Sequence, residues 1–393
     1  MARVLAVIDG EHYAPVVRDA LAALEHEVVA AVLAGGTEKL RGGEDYGVPL
    51  LHDFDAALAE HEPELVIDLS DEPVASPRER LLLASRALAR GAAYEGADFR
   101  FEPPPLAPFP LPSLAVIGTG KRVGKTAVTG HVARLLARDR EVVVVAMGRG
   151  GPPEPELMEN PPTVDDLVEL SRAGRHAASD YLETAALAGV VTIGCRRCGG
   201  GMAGAPVMSN VLDGAALAAA RSPDVVVFDG SGAAIPPVAT DARVLLAHDV
   251  TSGLNPYRVL ISDLVLTMDE RVARQARELT DAPVLQFDLR LRPVAPLDGR
   301  RTAVFTTGPA PVGHLEADVV HASRNLARRD ALRAELDSLD ADVFLVEIKA
   351  AAIDVVAEAA LQRGAEVVFA DNEVVADGLD DELLALVAEG VPR

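Results

Sequence analysis

Gly118-Thr119-Gly120-Lys121-Arg122-Val123-Gly124-Lys125-Thr126 is the stretch that decides the reading of this 393-residue chain. It follows the apolar run Leu114–Ile117 and precedes a helix-patterned segment from about Lys125 to Arg138. A strand, a glycine-rich turn and a helix in that order aim successive backbone N–H groups, and the positive end of a helix, at phosphate oxygens. In that arrangement residues 118–126 cradle the phosphates of ATP, Lys125 reaches the terminal ones, and the Thr126 hydroxyl ligates Mg2+. The chain has only four lysines, Lys39, Lys121, Lys125 and Lys349, and two of them fall in this loop. Surface decoration does not explain that placement.

Outward from the loop, short apolar runs alternate with helical ones, the pattern of parallel sheets covered by helices. Val142–Ala146, Val190–Ile193, Val225–Phe228, Val244–Leu246 and Leu264–Leu266 continue the sheet begun at Leu114, and Val284–Phe287 finishes it. Upstream, Val4–Ile8, Val28–Leu33 and Leu65–Leu69 alternate with helical stretches in the same way. Between the two lies a segment with Pro103, Pro104, Pro105, Pro108, Pro110 and Pro112, which neither a helix nor a central strand tolerates. Downstream, Thr302–Thr306, Asp318–His321, Val343–Glu347 and Glu366–Ala370 alternate with helices near 325–338 and 350–363. The expected fold class is therefore α/β. A Rossmann-like N-terminal domain (1–100) is followed by a Pro-rich linker (101–113). A P-loop NTPase domain with a mainly parallel sheet (114–293) and a C-terminal α/β extension (294–393) complete the chain.

Composition narrows the function classes. A formal net charge of −23 argues against a nucleic-acid footprint, and few aromatics with no Trp argue against a base-stacking platform. No apolar run approaches the ~18–20 residues of a membrane span. Met1–Gly10 reads as a strand and turn rather than a cleavable leader, and two cysteines cannot staple a chain of this size. Cytoplasmic residence follows as the expectation, with no nucleic-acid or membrane partner and with a homodimer as the expected assembly.

Asp229 ends the run Val225–Phe228 and precedes Gly230-Ser231-Gly232. An acid at the end of a strand beside a phosphate loop is placed to hold Mg2+, directly or through water; the alternative is an ordinary Asp-Gly turn. Three further glycine-rich segments follow strand ends, where a doubly wound sheet presents its binding crevice. They carry Arg149 and Gly150, then Arg196 and Arg197, then Ser231 and Gly232. Guanidinium groups recognise phosphate or carboxylate in bidentate fashion, so a polyanionic second substrate beside the nucleotide is the expectation, with solvated loop arginines as the alternative.

Cys195 and Cys198 are open to three readings: half a metal site, a redox couple, or small corners of a phosphate loop. His176 reaches the substrate or sits at a helix cap formed by Ser179 or Asp180. Asp9-Gly10-Glu11-His12-Tyr13 is either a binding loop or a polar turn. Lys349 binds a phosphate from the third unit, or pairs with Glu347 or Asp354.

The form Gly-Thr-x-x-x-Val-Gly-Lys-Thr, with Thr119 where the usual pattern has its first glycine, resembles dethiobiotin synthetase more than the small GTPases. Gly120 stands where the septum-placing ATPases carry a signature lysine. Taken with Gly194-Cys195-Arg196-Arg197-Cys198-Gly199-Gly200-Gly201 and Phe228-Asp229-Gly230-Ser231-Gly232-Ala233-Ala234-Ile235-Pro236-Pro237, the chain resembles the cyclic 2,3-diphosphoglycerate synthetases over nearly its whole length. The resemblance implies a ligase that uses ATP and Mg2+ to join the two phosphates of 2,3-diphosphoglycerate in an intramolecular anhydride. Two rivals stand beside it: a dethiobiotin-synthetase-like ligase for another anionic metabolite, and a nucleotide-switched metallochaperone holding its metal at Cys195 and Cys198.

Overall fold

The computed structural model of the chain describes residues 1–308 and 310–388, and gathers their strands into three sheets. The central sheet runs in the order Met208–Ser209, Val191–Cys198, Val142–Gly148, Val225–Asp229, Ser113–Gly118, Ala242–Ala247, Leu264–Thr267 and Val284–Gln286. The short strand Glu156–Met158 also pairs with Val191–Cys198, antiparallel, as does Met208–Ser209. The other pairings are parallel. Runs such as Val142–Val145 are buried on both faces, as a strand with helices above and below it must be.

This order puts the phosphate-loop strand, Ser113–Gly118, between Val225–Asp229 and Ala242–Ala247. The segments after Gly118, Gly148, Cys198 and Asp229 consequently leave the sheet at one edge, the carboxyl ends of its parallel strands.

The N-terminal sheet has the order Leu50–Leu51, Glu27–Leu33, Arg3–Ile8, Leu65–Asp68, Ala93–Glu95, Arg100–Phe101, parallel except at its last pair. Its helix Pro77–Ala89 starts with a capping box at Ser76 and Glu79 and packs on the short helix Asn255–Leu260 of the central unit. Leu88 and Tyr94 belong to the same apolar cluster as Val250, Leu254 and Tyr257, so the two units share one core. The proline-bearing segment between them is extended and pinned. Ala107 exchanges backbone hydrogen bonds with the 237–239 stretch, and the Phe109 ring meets Phe228 edge-on at 5.1 Å.

The third sheet runs Asp288–Pro293, Glu366–Val375, Val343–Glu347, Arg301–Phe305, Asp318–Ser323. Asp288–Pro293, grouped by composition with the central unit, pairs antiparallel with Glu366–Val375 instead. Its alternation of charged and apolar residues is that of an edge strand, which a single proline at its end disguises.

The helix after the phosphate loop, Lys125–Leu136, is closed from behind by this third unit. Val128, Val132, Leu135 and Leu136 share a cluster with Val374, Leu379 and Leu383. Asp371 accepts from Arg134 at 3.0 Å and Arg292 at 2.7 Å, and His131 meets Asp380 at 2.7 Å. Each buried aliphatic side chain contributes about 1.5–3 kcal/mol. Partly exposed ion pairs contribute about 1 kcal/mol or less, so the apolar contact holds this seam and the charges set its register. Among the described residues no helix is long and apolar enough to cross a membrane.

Candidate active site

The phosphate loop turns into its helix at Gly124, whose φ of 92° lies in the left-handed region that glycine alone adopts without strain. Lys125 folds back over the loop, and its Nζ donates to the Gly120 carbonyl at 3.0 Å. A Cβ on Gly118 would stand 3.1 Å from Lys125 Cδ and 3.2 Å from Nζ, so the glycine leaves room for the returning side chain. Burial pulls the pKa of the ammonium down, opposed by the charges of Asp229 and Asp180. Val123 is buried beneath the loop, whereas Lys121 and Arg122 are exposed.

Thr119, the departure from the usual first glycine, is held from the next strand. Its hydroxyl lies 2.9 Å from His248 Nδ1 and accepts from the His248 backbone N–H at 3.1 Å. The same imidazole covers Gly120, where a Cβ would come within 2.6 Å of its Cε1. His248 thus sets the loop's first turn, a role with no local signal in the sequence.

Asp229 is fully buried and its Oδ1 accepts from the Thr129 hydroxyl at 3.1 Å. Burial raises its carboxyl to about 7, helped by the charge of Asp180 and opposed by Lys125. Asp180 heads the helix Asp180–Ala188, with Oδ2 3.6 Å from where a Cβ of Gly148 would be. Its field reaches Lys125, Asp229, Arg197 and Lys349. Sequence reasoning saw only a capping residue here; Ser179 occupies the cap position, without a side-chain cap bond. Thr126 is the second residue of its helix and half-buried. A hydroxyl and two carboxylates are hard oxygen donors of the kind Mg2+ takes. Among the described residues no three or more His, Cys, Asp or Glu side chains gather as a metal cage, and a magnesium ion shared with nucleotide phosphates does not require one.

Two of the three arginines meet over Gly232. A Cβ on that residue would collide with the Arg149 guanidinium and stand 3.2 Å from Arg197 Nη2. Arg197 donates to the Gly199 carbonyl and to the Ser231 carbonyl, each at 2.7 Å. Burial lowers its pKa, and the neighbouring Arg149 charge lowers it further. Arg196 departs from this pair. Gly194 faces Tyr181 and Cys195 faces Gly214, so strand alternation sends Arg196 to the Tyr181 side, opposite Cys195 and Arg197. Its backbone N–H donates to Asn210 Oδ1 at 2.6 Å.

Gly232 has φ 61°, so a side chain there strains the backbone as well as displacing Arg149. Strain of about 1–3 kcal/mol predicts that Gly232→Ala weakens binding of an anionic second substrate about tenfold or more and leaves nucleotide binding unchanged. Titration calorimetry with each ligand separately checks this; equal loss of both would remove Gly232 from the second site.

The remaining candidates fall at varied distances from this centre. His176 packs on Gly150, where a Cβ would lie 2.6 Å from its Cδ2, and both line a cavity of about 180 Å3 with Arg175 and Tyr181. Lys349 pairs with Glu183 at 3.4 Å, on the helix that Asp180 heads, while Arg329 takes Asp354. The Glu183 charge pushes the Lys349 ammonium up to about 12 against the effect of burial. The Cys195 thiol is buried against Gly214 and pushed up to about 12, whereas Cys198 is exposed. Three residues apart on a strand, they leave opposite faces and do not converge on a metal. The Asp9–Tyr13 segment turns about Asp9 and is tied to the segment after Leu65–Asp68: Asp9 accepts from the backbone of Glu11, His12 and Asp71 and meets His12 Nδ1 at 2.8 Å.

Sequence models of one family cover most of the chain. The cyclic 2,3-diphosphoglycerate synthetase N-terminal domain matches residues 3–102, the P-loop domain matches 113–282 and the C-terminal domain matches 293–373. The cyclic 2,3-diphosphoglycerate synthetase of Rubrobacter xylanophilus is 49% identical, with 98% of this chain and 97% of that protein aligned. That of Thermococcus kodakarensis is 43% identical over 95% of each. Among solved structures, LpxK from Aquifex aeolicus in complex with ATP matches at 15% identity and a TM-score of 0.45, over 72% of this chain and 90% of that one.

Proposed function

The chain belongs to the cyclic 2,3-diphosphoglycerate synthetase family, and from that premise we propose that it is an ATP-dependent ligase closing an anhydride between the two phosphates of 2,3-diphosphoglycerate. The observation that carries the reading is the meeting of Arg149 and Arg197 over Gly232, on the sheet edge that presents Lys125. Positive charge is concentrated there in a chain of net charge −23. A simple carboxylate substrate would not need it; a polyanion approaching ATP would.

In this reading residues 118–126 wrap the β- and γ-phosphates, and Lys125 exchanges the Gly120 carbonyl for a terminal phosphate oxygen. Thr126, Asp229 and Asp180 would hold Mg2+, which when bound neutralises nucleotide charge. Arg149, Arg197 and the backbone at Ser231 and Gly232 bind the second substrate. Gly150 and His176 flank it, Arg196 approaches from the other face of its strand, and Lys349 acts through Glu183 from the third unit. An oxygen of one substrate phosphate attacks the γ-phosphorus and ADP leaves. An oxygen of the other substrate phosphate then attacks the phosphorus of the activated one, inorganic phosphate departs, and the ring closes. A phosphate oxygen is already an adequate nucleophile, so no general base is needed. The site's work is to offset repulsion and to hold the two phosphates together.

A cytoplasmic homodimer completes the reading. Both thiols are free, and exposed Val207, Met208 and Leu212 lie in and beside the edge strand Met208–Ser209, a surface that a second copy would cover.

Phosphorus NMR of the protein with ATP, Mg2+ and 2,3-diphosphoglycerate tests the function directly. New anhydride resonances from the substrate should grow with ADP and phosphate. Unchanged substrate peaks, with nucleotide binding verified, would remove this substrate.

A further inference from the structure

Arg258 is 2% exposed and has no carboxylate partner among the described residues. A guanidinium so placed is costly unless carbonyl oxygens replace its water. Here they do, and they come from two separate loops. Nε and Nη2 both donate to the Ala233 carbonyl, at 3.0 and 2.7 Å. Nη1 donates to the Met202 carbonyl at 3.1 Å, to the Leu254 carbonyl at 3.2 Å and toward Asn255 Oδ1 at 3.4 Å. Ala233 follows Ser231 and Gly232; Met202 lies in the glycine-rich segment after Arg197 and Cys198. The Ile235 N–H also donates to the Gly204 carbonyl at 2.9 Å, so the two loops already touch, and Arg258 ties them from beneath.

We propose that Arg258 is a positioning residue that locks the 199–204 and 231–234 loops into one anion-binding platform. An apolar side chain of similar volume would fill the space but leave the Met202 and Ala233 carbonyls without their donors. Burial lowers the pKa of this guanidinium to about 10, which still leaves it charged at neutral pH. Its charge therefore stands behind the loops whose front receives the substrate, and among the described residues no carboxylate pairs with it. Because the helix Asn255–Leu260 packs on Pro77–Ala89, the platform is also seated on the N-terminal unit. That gives the first sheet a part in substrate binding without a contact of its own.

The inference rests on the reading that these loops bind 2,3-diphosphoglycerate, and the test separates the two. In Arg258→Met, hydrogen exchange at the amides of 199–205 and 231–235 should quicken, with the strand Ser113–Gly118 unchanged. The KM for 2,3-diphosphoglycerate should rise about tenfold or more and the KM for ATP stay within about twofold, the loss of one or two charge-assisted hydrogen bonds. Arg258→Lys, which keeps the charge and three donors, should recover most of both effects; if the Met variant does not fold, Arg258→Gln, which removes the charge and cannot reach both carbonyls, takes its place with the same expected losses. Faster loop exchange with an unchanged substrate KM would keep the lock and overturn the assignment of these loops to the substrate. Unchanged loop exchange would overturn the lock, as would KM values rising together with exchange throughout the chain.

Discussion

Lys125→Ala should lower kcat by about 10^3-fold or more, because an ammonium in a dry site stabilises charge that moves onto the γ-phosphate and the leaving ADP. The fold does not need this side chain. Its hydrogen bond goes to the Gly120 carbonyl, and burial already disfavours its charge. Lys125→Arg should not rescue, since the side chain passes 3.1–3.2 Å from the position of a Cβ on Gly118 and a planar fork does not fit there. Steady-state turnover on a folded variant decides it. Retention of more than about a tenth of kcat would be incompatible with transition-state stabilisation of this size by Lys125.

Arg149→Ala should act on the other substrate. Its guanidinium lies against Gly232 beside Arg197 and is exposed, so it is available to a ligand. Loss of a charge-assisted bond of about 2 kcal/mol raises the KM for 2,3-diphosphoglycerate about 30-fold, with the KM for ATP unchanged. Arg149 is a cleaner probe than Arg197, whose removal also frees the carbonyls of Gly199 and Ser231. Arg196→Ala, on the far face of the strand, should cost less. Equal losses at Arg149 and Arg196 would move the substrate away from the Arg149–Arg197 side.

Local features were legible in the sequence. The phosphate loop announces itself through glycines and lysines a few residues apart, and apolar runs of four or five residues mark parallel strands wherever helices cover both faces. Features set by distant partners were not. Thr119 was visible as a departure, yet its reason is His248, 129 positions away. Asp180 looked like any acid at a helix start, and its role comes from a fold that brings it beside Asp229 and Lys125. Arg258, on a helix of six residues, reads as a surface residue until the Ala233 and Met202 carbonyls are seen to surround it. Lys349 reads as a phosphate ligand or as a partner of Glu347 or Asp354, and its pairing with Glu183, on a distant helix, has no local signal. Asp288–Pro293, left without a sheet by the sequence, finds its partner in Glu366–Val375, far along the chain.

The seam behind the helix Lys125–Leu136 bears on how the protein is made. That helix forms early in synthesis, but part of its apolar covering comes from Val374, Leu379 and Leu383, and His131 meets Asp380 at a separation of 249 residues. While the ribosome is still translating, the nucleotide-binding helix lacks that covering and keeps Val128, Val132 and Leu135 at risk of the wrong contacts. Loop closure over that length is slow compared with local helix formation. Full burial of the phosphate-binding element is thus among the last events in the life of the nascent chain, and a message truncated before the third sheet yields a product that carries the motif with one side of its helix uncovered.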